Sequence, residues 1–182
     1  MYALIVIDQQ KGIDHPKLGR RNNPNAEQIM LDLIAFWRNR YWPIIHVIHR
    51  SKEPDSVFWP EQDGFTLKEE FRPVGDELLI EKSVPCAFTN NTLADELTKR
   101  SLHKLVITGV ATNNSVEATA RSAGNLGFEA FVVADACFTF EKTDYFGNAH
   151  SADEVHAISL ANIHGEYATV IESAALKLLL SD

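Results

Sequence analysis

The chain has 182 residues and a formal net charge of −8 at pH 7 with histidine neutral. This length predicts a single domain spanning residues 1–182, because domains run to roughly 100–200 residues. The 45% share of hydrophobic residues excludes an intrinsically disordered chain. The acidic balance, with no run of Lys and Arg, argues against a nucleic-acid partner. No apolar run approaches the roughly 18 residues that cross a membrane, so we expect no membrane partner.

The first residues and the cysteines indicate a cellular location. Residues 1–8 lack a basic segment and a small-residue cleavage site, so they predict a strand rather than a signal peptide. The two cysteines, Cys86 and Cys137, lie far apart, and neither has metal-ligand spacing. A chain without a disulfide framework is typical of the reducing cytoplasm, and we expect that location.

Apolar segments alternate with helical patterns along the chain. Apolar runs, typical of strands covered on both faces, predict six strands: Tyr2–Ile7, Ile44–His49, Leu78–Glu81, Lys104–Val110, Ala130–Ala134 and Ala168–Ile171. Apolar spacing, caps and stop signals predict helices from Asn23 to Pro43, Thr92–Lys99, Ser115–Leu126, Ser151 to near Gly165 and Ser173–Leu180. This alternation predicts a Rossmann-like, three-layer α/β/α fold. Its six-stranded sheet is mostly parallel, with helices on both faces.

One long connection, Ser51–Asp76, interrupts this pattern. It carries many charges and four aromatic residues: Phe58, Trp59, Phe65 and Phe71. A loop of this length is uncommon and is often a lid or an interface. Two interpretations stay open, a lid or subunit contact and a surface loop whose aromatic side chains pack into the domain itself.

Polar side chains follow three of the predicted strands. Asp8 ends the first strand, Lys82 ends the third, and Ser115 begins the helix after the fourth. Ligands bind beyond the carboxyl ends of parallel strands, so we expect these side chains to meet there. The helix start also offers unpaired backbone N–H groups that suit an oxyanion. Singly, each residue has an ordinary explanation as a turn cap, a solvated charge or an N-cap. Only their joint placement indicates a site.

Several short segments, taken in chain order, match the sequence pattern of a known protein family. They are Ala3–Gln10, Ile80–Lys82, Ala87-Phe88, Thr92-Leu93, Ile107–Asn113, Val116–Arg121, Gly127-Phe128 and Val133–Cys137. Together they cover nearly the whole chain, which resembles the isochorismatase-like hydrolases, also called cysteine hydrolases.

The resemblance implies a catalytic triad of Asp, Lys and Cys. Asp8 matches the aspartate and Lys82 the lysine, whereas Ser115 fills the position of the cysteine. The resemblance also implies a cis peptide bond between Val110 and Ala111, just before the nucleophile. It further implies a homodimer or homotetramer.

The serine leaves several functions open. A serine hydroxyl is harder to ionise than a thiol and needs a base. Lys82 stays protonated if it pairs with Asp8, and no histidine is obviously placed to help. The first interpretation is a hydrolase of amide or carbamoyl C–N bonds with Ser115 as a weaker nucleophile. The second is a hydrolase of isochorismate-type vinyl ethers with Asp8 as general acid, which the resemblance implies for members without the cysteine.

Two further interpretations of the serine remain. The site binds a small molecule without turning it over, or the serine is an engineered replacement for a native cysteine. We also considered Cys137 as a displaced nucleophile, although a buried apolar role is the more usual one for such a cysteine.

Cofactors and substrate follow from the remaining polar and aromatic residues. His46 and His49 point to opposite faces of their strand because their separation is odd, so we expect no bound metal. The sequence also has no G-x-G-x-x-G, Walker or H-E-x-x-H motif, and we expect no cofactor. Four residues are candidates for lining a small-molecule site: Gln10, Trp59, Asn113 and Phe138. Phe138 begins an aromatic segment with Phe140, Tyr145 and Phe146, and such a rim suits a ring-shaped or apolar substrate.

Overall fold

A six-stranded parallel sheet forms the centre of the computed structural model, which describes residues 1–90 and 92–181. Its strands are β1 (Ala3–Ile7), β2 (Ile44–His49), β3 (Leu78–Lys82), β4 (Lys104–Val110), β5 (Glu129–Phe138) and β8 (Thr169–Ile171). The strand order is β3-β2-β1-β4-β5-β8, and every neighbouring pair is parallel. The chain therefore reverses its winding direction between β1 and β4, which is where open α/β sheets bind ligands.

Among the described residues, five α-helices cover the two faces of this sheet. They are α1 (Ala26–Arg38), α2 (Thr92–Lys99), α3 (Glu117–Asn125), α4 (Ala152–Ile163) and α5 (Ser173–Leu179). The predicted three-layer α/β/α fold with a six-stranded sheet is confirmed. A small antiparallel hairpin of β6 (Lys142–Thr143) and β7 (Ala149–His150) was not predicted from the sequence. With two residues in each strand, it is too short for an alternating pattern to be visible.

The side chains of β1 divide between two cores. Ile5 and Ile7 pack with residues of α2, α3 and α4, whereas Leu4 and Val6 pack with residues of α1 and α5. This division follows from the alternation of side chains along a strand. All five residues of β1 are buried, and burial of a Leu or Ile side chain stabilises the fold by about 1.5–3 kcal/mol. β1 is therefore anchored on both faces, so its carboxyl end is held firmly.

Two boundaries differ from the sequence prediction in ways that affect the site. The helix expected from Ser115 starts earlier, as a π-helical turn over Thr112–Val116 that continues into α3. β5 extends to Phe138, four residues beyond its predicted end, because its pairing with β4 shifts register and resumes at Gly109. A register shift of this kind has no signal in an apolar run.

The long connection Ser51–Asp76 packs onto the domain. Phe71 is 1% exposed and lies in the core beside α1. Lys68 forms ion pairs with Glu27 and Asp14. These contacts agree with the interpretation that side chains of the loop anchor it to its own domain. In residues 1–90 and 92–181, no helix is both long enough and apolar enough to span a membrane.

Candidate active site

The carboxyl ends of four neighbouring strands bring the predicted site residues together. Asp8 directly follows β1, Lys82 is the last residue of β3, and Ser115 lies in the turn that follows β4. Because β3, β2, β1 and β4 are adjacent and parallel, their carboxyl ends share one edge of the sheet. The three residues are 3–4% exposed, and their side chains are in mutual contact, as expected from their shared edge.

The Asp8 carboxylate is the common acceptor of this cluster. Its Oδ2 accepts a hydrogen bond from Ser115 Oγ at 2.7 Å and another from Lys82 Nζ at 2.8 Å. Its Oδ1 is buried and makes no hydrogen bond to any of the described residues. The backbone at Asp8 has φ +55°, which is uncommon for a residue other than glycine. Asp8 N donates a hydrogen bond to Val47 O at the end of the pairing between β1 and β2. The unusual backbone conformation therefore occurs at the point where β1 ends.

The Lys82 ammonium has three hydrogen-bonding partners. Besides Asp8 Oδ2, its Nζ lies 3.2 Å from Ser115 Oγ and 3.3 Å from His49 Nδ1. An ammonium carries three N–H donors, so these three acceptors use all of them. Ser115 Oγ then accepts from Lys82 and donates its own hydrogen to Asp8. The hydroxyl is held between a base and a cation.

His49 is a site residue that the sequence analysis missed. It ends β2, and its half-buried ring joins the cluster through Lys82, whereas no histidine was expected near Ser115. Burial lowers the pKa of His49, the positive charge of Lys82 lowers it further, and Asp8 opposes the change. A signal was available, because His49 is the last residue of a predicted strand in the same mostly parallel sheet, and the carboxyl ends of parallel strands share one edge.

Side chains of α4 contact the turn that carries Ser115 and hold it in place. Thr112 Oγ1 lies 2.8 Å from His156 Nδ1, and Ser159 Oγ donates to the Thr112 carbonyl oxygen at 2.9 Å. The peptide bond between Val110 and Ala111 is cis, as the resemblance implies. The turn begins directly after it, and the first turn of a helix leaves backbone N–H groups without intrahelical partners.

A cavity of about 500 Å³ opens beside Ser115. Its walls combine the reactive cluster with apolar side chains and a polar rim: Asp8, Ile13, Leu18, His49, Phe58, Pro85, Val110, Ala111, Asn113, Asn114, Ser115, Thr139, Phe140, Glu141 and Lys142. Of the four predicted lining residues, only Asn113 is among them. Its Oδ1 accepts a hydrogen bond from Thr139 Oγ1 at 2.5 Å, so it is fixed in place.

The other three predicted lining residues lie outside the cavity wall, and the structure corrects their assignment. Gln10 is fully buried, and its side-chain amide hydrogen-bonds the backbone of His49 and Phe65. Trp59 is half-buried in the loop, and its neighbour Phe58 lines the cavity instead.

Phe138 is the third of these residues. It is fully buried in the core and lies beneath the guanidinium of Arg21. Phe138 is still part of β5, where the strand packs against the body of the domain, whereas Phe140 follows the end of the strand and lines the cavity wall. The aromatic segment therefore contributes to the wall only after the chain has left the sheet.

The structure also places Cys137, the aromatic residues Tyr145 and Phe146, and the residue types that bind metals. Cys137 is fully buried, and burial raises its pKa to about 12, so it is no substitute for the nucleophile. Tyr145 and Phe146 stand in solvent at the tip of the hairpin, 95% and 84% exposed, rather than at the rim. Across residues 1–90 and 92–181, no three His, Cys, Asp or Glu side chains are arranged to hold a metal ion.

A second groove of about 490 Å³ lies at the opposite edge of the sheet. It is lined by residues that precede or begin the strands, including Trp42 and Leu78. Glu77 lies there, and its carboxylate is occupied by Arg38 and His46. This groove has no nucleophile within it, whereas the cavity at the carboxyl edge contains Ser115.

Comparisons with known proteins agree with this geometry. The family model described as isochorismatase domain matches residues 2–175. An uncharacterized isochorismatase family protein, YrdC of Bacillus subtilis, is 37% identical over 174 residues, covering 96% of this chain and 93% of the relative. Nicotinamidase 3 of Arabidopsis thaliana is 26% identical over 188 residues, covering 96% and 86%. A crystal structure of an isochorismatase family protein from Chromobacterium violaceum superposes with a TM-score of 0.95 at 46% identity, covering 99% and 93%. The chain therefore belongs to the isochorismatase family of hydrolases.

Proposed function

We propose that the protein hydrolyses the C–N bond of a small amide or carbamoyl compound, with Ser115 as the nucleophile. The observation that carries the proposal is the position of Ser115 Oγ, 2.7 Å from Asp8 Oδ2 and 3.2 Å from Lys82 Nζ. A serine needs a base within hydrogen-bond reach to become a nucleophile, and Asp8 Oδ2 lies at such a distance.

The first half of the reaction forms an acyl-serine. Ser115 Oγ attacks the carbonyl carbon while its proton passes to Asp8 Oδ2. The C–N bond then breaks, the leaving nitrogen takes the proton from Asp8, and the amine or ammonia departs. The Lys82 ammonium stabilises the negative charge that develops on Oγ, because charges attract strongly in a buried site.

The second half of the reaction releases the acid. A water molecule attacks the acyl carbon and gives its proton to Asp8. The ester bond then breaks, and Asp8 returns this proton to Ser115 Oγ, which restores the free enzyme. Backbone N–H groups at the start of the Thr112–Val116 turn are the candidate donors to the carbonyl oxygen, next to the Val110–Ala111 bond.

The cavity and one relative support a small C–N substrate. A volume of about 500 Å³ lies in the range of small-molecule sites, which run to about 300–1,000 Å³. The relative named nicotinamidase 3 is, by its name, an amidase. Phe58 and Phe140 on the cavity wall suit the apolar part of such a substrate.

Hydrolysis of a vinyl ether requires Asp8 to donate a proton. Both partners of Asp8 Oδ2, the hydroxyl of Ser115 and the ammonium of Lys82, are donors, and two donors fit an ionised carboxylate. The contacts therefore favour Asp8 as a base over Asp8 as an acid. For this reason we propose C–N hydrolysis ahead of vinyl-ether hydrolysis.

The test is turnover of a panel of amides, carbamoyl compounds and isochorismate by the wild type, Ser115→Ala and Asp8→Asn. We expect amide or carbamoyl turnover in the wild type and a loss of at least about 100-fold in both variants. Ser122→Ala, which changes a serine on α3 away from the cavity, is the matched control and keeps wild-type turnover.

Intact-mass measurement after acid quench identifies the covalent step. The wild type gains the mass of the acyl group from a slowly released substrate, and Ser115→Ala does not. Turnover of isochorismate alone, without an adduct, would establish the vinyl-ether interpretation instead. Binding without any turnover would establish the silent binder.

We also propose that the protein works in the cytoplasm as a homodimer or homotetramer. The exposed aromatic pair Tyr145 and Phe146 supports an assembly, because large aromatic side chains bury much apolar area at interfaces. Light scattering after size-exclusion chromatography measures the mass directly, and a mass of one chain would contradict the proposal.

A further inference from the structure

His49 touches the reactive cluster but has no role in the reaction above. Its ring lines the Ser115 cavity, and its Nδ1 lies 3.3 Å from Lys82 Nζ. Its backbone is fixed by Gln10, which accepts from His49 N at 2.8 Å and donates to His49 O at 3.0 Å. The ring of Phe58 meets the imidazole edge-on, with the ring centroids 5.8 Å apart. Both the backbone and the ring of His49 are therefore held in place.

The contact with Lys82 determines which nitrogen of His49 carries the proton. An ammonium is only a donor, so Nδ1 must be the acceptor, and the proton of the neutral imidazole lies on Nε2. In the described residues, Nε2 makes no hydrogen bond. The imidazole is thus a neutral acceptor toward Lys82.

We propose that His49 is the positioning residue of this site: its neutral Nδ1 accepts one N–H of Lys82 and so directs the other two at Asp8 and Ser115. The effect on turnover rests on the proposed function, whereas the arrangement itself does not. Without the acceptor, the ammonium is free to rotate about its last bonds. A displacement of even 1 Å at a catalytic group can cost about 100-fold in rate.

Protonation of His49 switches this arrangement off. A protonated imidazole has no lone pair to offer, and its charge repels the ammonium of Lys82. In the part of the chain that the structure describes, two charged groups face the ring: Lys82 from β3 and Asp8 from the end of β1. The loop contributes the uncharged Phe58. Burial and Lys82 together lower the pKa of His49 below its ordinary value of 6.5. Turnover is therefore expected to fall as the pH decreases through this lowered pKa of His49.

Nitrogen-15 NMR of the histidine rings across pH tests this arrangement and requires no turnover. We expect the His49 signals of a neutral ring with the proton on Nε2 and a titration midpoint below 6.5. In Lys82→Met the midpoint rises, because a neighbouring positive charge has been removed. His150, whose pKa is raised by Asp144 and not by Lys82, is the internal control whose midpoint stays unchanged. A proton on Nδ1, or an unchanged His49 midpoint in Lys82→Met, overturns the proposal whatever the protein hydrolyses.

Two variants of His49 extend the test to activity. His49→Asn places an amide oxygen near the position of Nδ1, so it keeps an acceptor for Lys82 and does not titrate. His49→Gln places its amide near Nε2 and leaves Lys82 without that acceptor. We expect His49→Asn to keep turnover within a few-fold and to lose the part of the acid limb that belongs to His49. His49→Gln loses at least about tenfold relative to the wild type where the wild-type ring is neutral, and this difference shrinks in acid, where the wild-type ring is protonated and has also lost its acceptor.

The activity measurements and the NMR measurements test different parts of the proposal. The wild type and His49→Asn share every other residue of the site, so only the part of the acid limb that differs between them is assigned to His49. An unchanged limb in His49→Asn, or wild-type turnover in His49→Gln, contradicts the positioning role. Turnover by no form of the protein, with the expected NMR result, rejects the proposed function and leaves the arrangement of His49 and Lys82 established.

Discussion

Ser115 donates its hydroxyl to Asp8 across 2.7 Å, although the two residues are 107 positions apart in the chain. The contact exists because β1 and β4 are neighbours in the sheet and end at the same edge. Lys82 reaches both residues from β3, two strands away from β1, because a lysine side chain is long enough to span β2. The doubly wound topology thus turns three distant segments into one compact ionic site.

The ion pair of Asp8 and Lys82 is buried, with side chains 5% and 2% exposed. Removal of one partner leaves the other charge buried and uncompensated, which costs about 3–5 kcal/mol. We expect Asp8→Asn and Lys82→Met each to lower the free energy of unfolding by about that amount, and the double variant to lose less than the sum. Urea denaturation of the four proteins measures the coupling.

The exposed ion pair of Lys11 and Asp63 is the control, measured in the same way as a double-mutant cycle of wild type, two single variants and the double variant. Its side chains are 46% and 77% exposed, so water screens the pair and its coupling falls near the detection limit. Equal coupling in the two cycles would show that burial does not set the strength of the site's ion pair.

Ser115→Cys should convert the site into a more reactive one. Lys82 and the N–H groups at the start of the turn favour a thiolate, and a thiol ionises far more readily than a hydroxyl. We expect amide turnover to rise by about tenfold or more. We also expect iodoacetamide to label the introduced thiol of this variant faster than the native cysteines, read by peptide mass spectrometry.

The native cysteines supply the comparison for that labelling. Cys137 is fully buried with a pKa raised to about 12, and the half-buried Cys86 donates its thiol hydrogen to Ser122. Both should react slowly in the folded protein. Addition of Lys82→Met to Ser115→Cys should slow the labelling, and an unchanged rate would exclude Lys82 as the activating charge.

The sequence was sufficient for the elements of the sheet and for the three central site residues. Apolar runs mark buried strands, and the edge where parallel strands end is predictable, so Asp8, Lys82 and Ser115 could be placed together. The identity of the cavity wall could not be predicted. The direction of Phe138 depends on a register shift between β4 and β5, and Gln10 is used by backbone groups of a distant loop. Contacts of this kind depend on tertiary packing rather than on local pattern.

Gly109 shows a constraint that is visible only in the folded chain. Its φ is +127°, and a Cβ there would lie 2.3 Å from the carbonyl oxygen of Ile7. Gly109→Ala should therefore disturb the pairing of β1 and β4 next to the site and lower the free energy of unfolding by more than about 3 kcal/mol. Urea denaturation gives the value, and circular dichroism shows whether the variant folds.

Gly127→Ala is the matched control, because it shares the conformational cost without the contact. Gly127 has φ +84° and open space around its Cβ position. We expect it to lose about 1–2 kcal/mol, the local cost of a left-handed residue. Equal losses for the two alanine variants would mean that the approach of β1 to Gly109 contributes nothing.

The stability of the protein should fall as pH decreases from 7.5 to 5.5. Burial lowers the pKa values of His46, His49 and His156. In the unfolded chain these histidines bind protons near pH 6.5, whereas in the folded chain they stay neutral to lower pH. The unfolded state then binds more protons, so the free energy of unfolding rises with pH, by up to about 1.4 kcal/mol per pH unit for each histidine.

One histidine opposes this trend, and two variants separate the contributions. Asp144 raises the pKa of His150, so the stability from that pair is present at low pH and is lost as pH rises through the raised pKa. Three histidines outweigh one, which gives the net loss in acid. Urea denaturation at pH 5.5, 6.5 and 7.5 measures the slope. His156→Gln should reduce the slope, and His150→Gln should make it steeper, because the opposing contribution of His150 is then removed. A stability that increases toward pH 5.5 would show that the buried histidines are protonated in the folded protein.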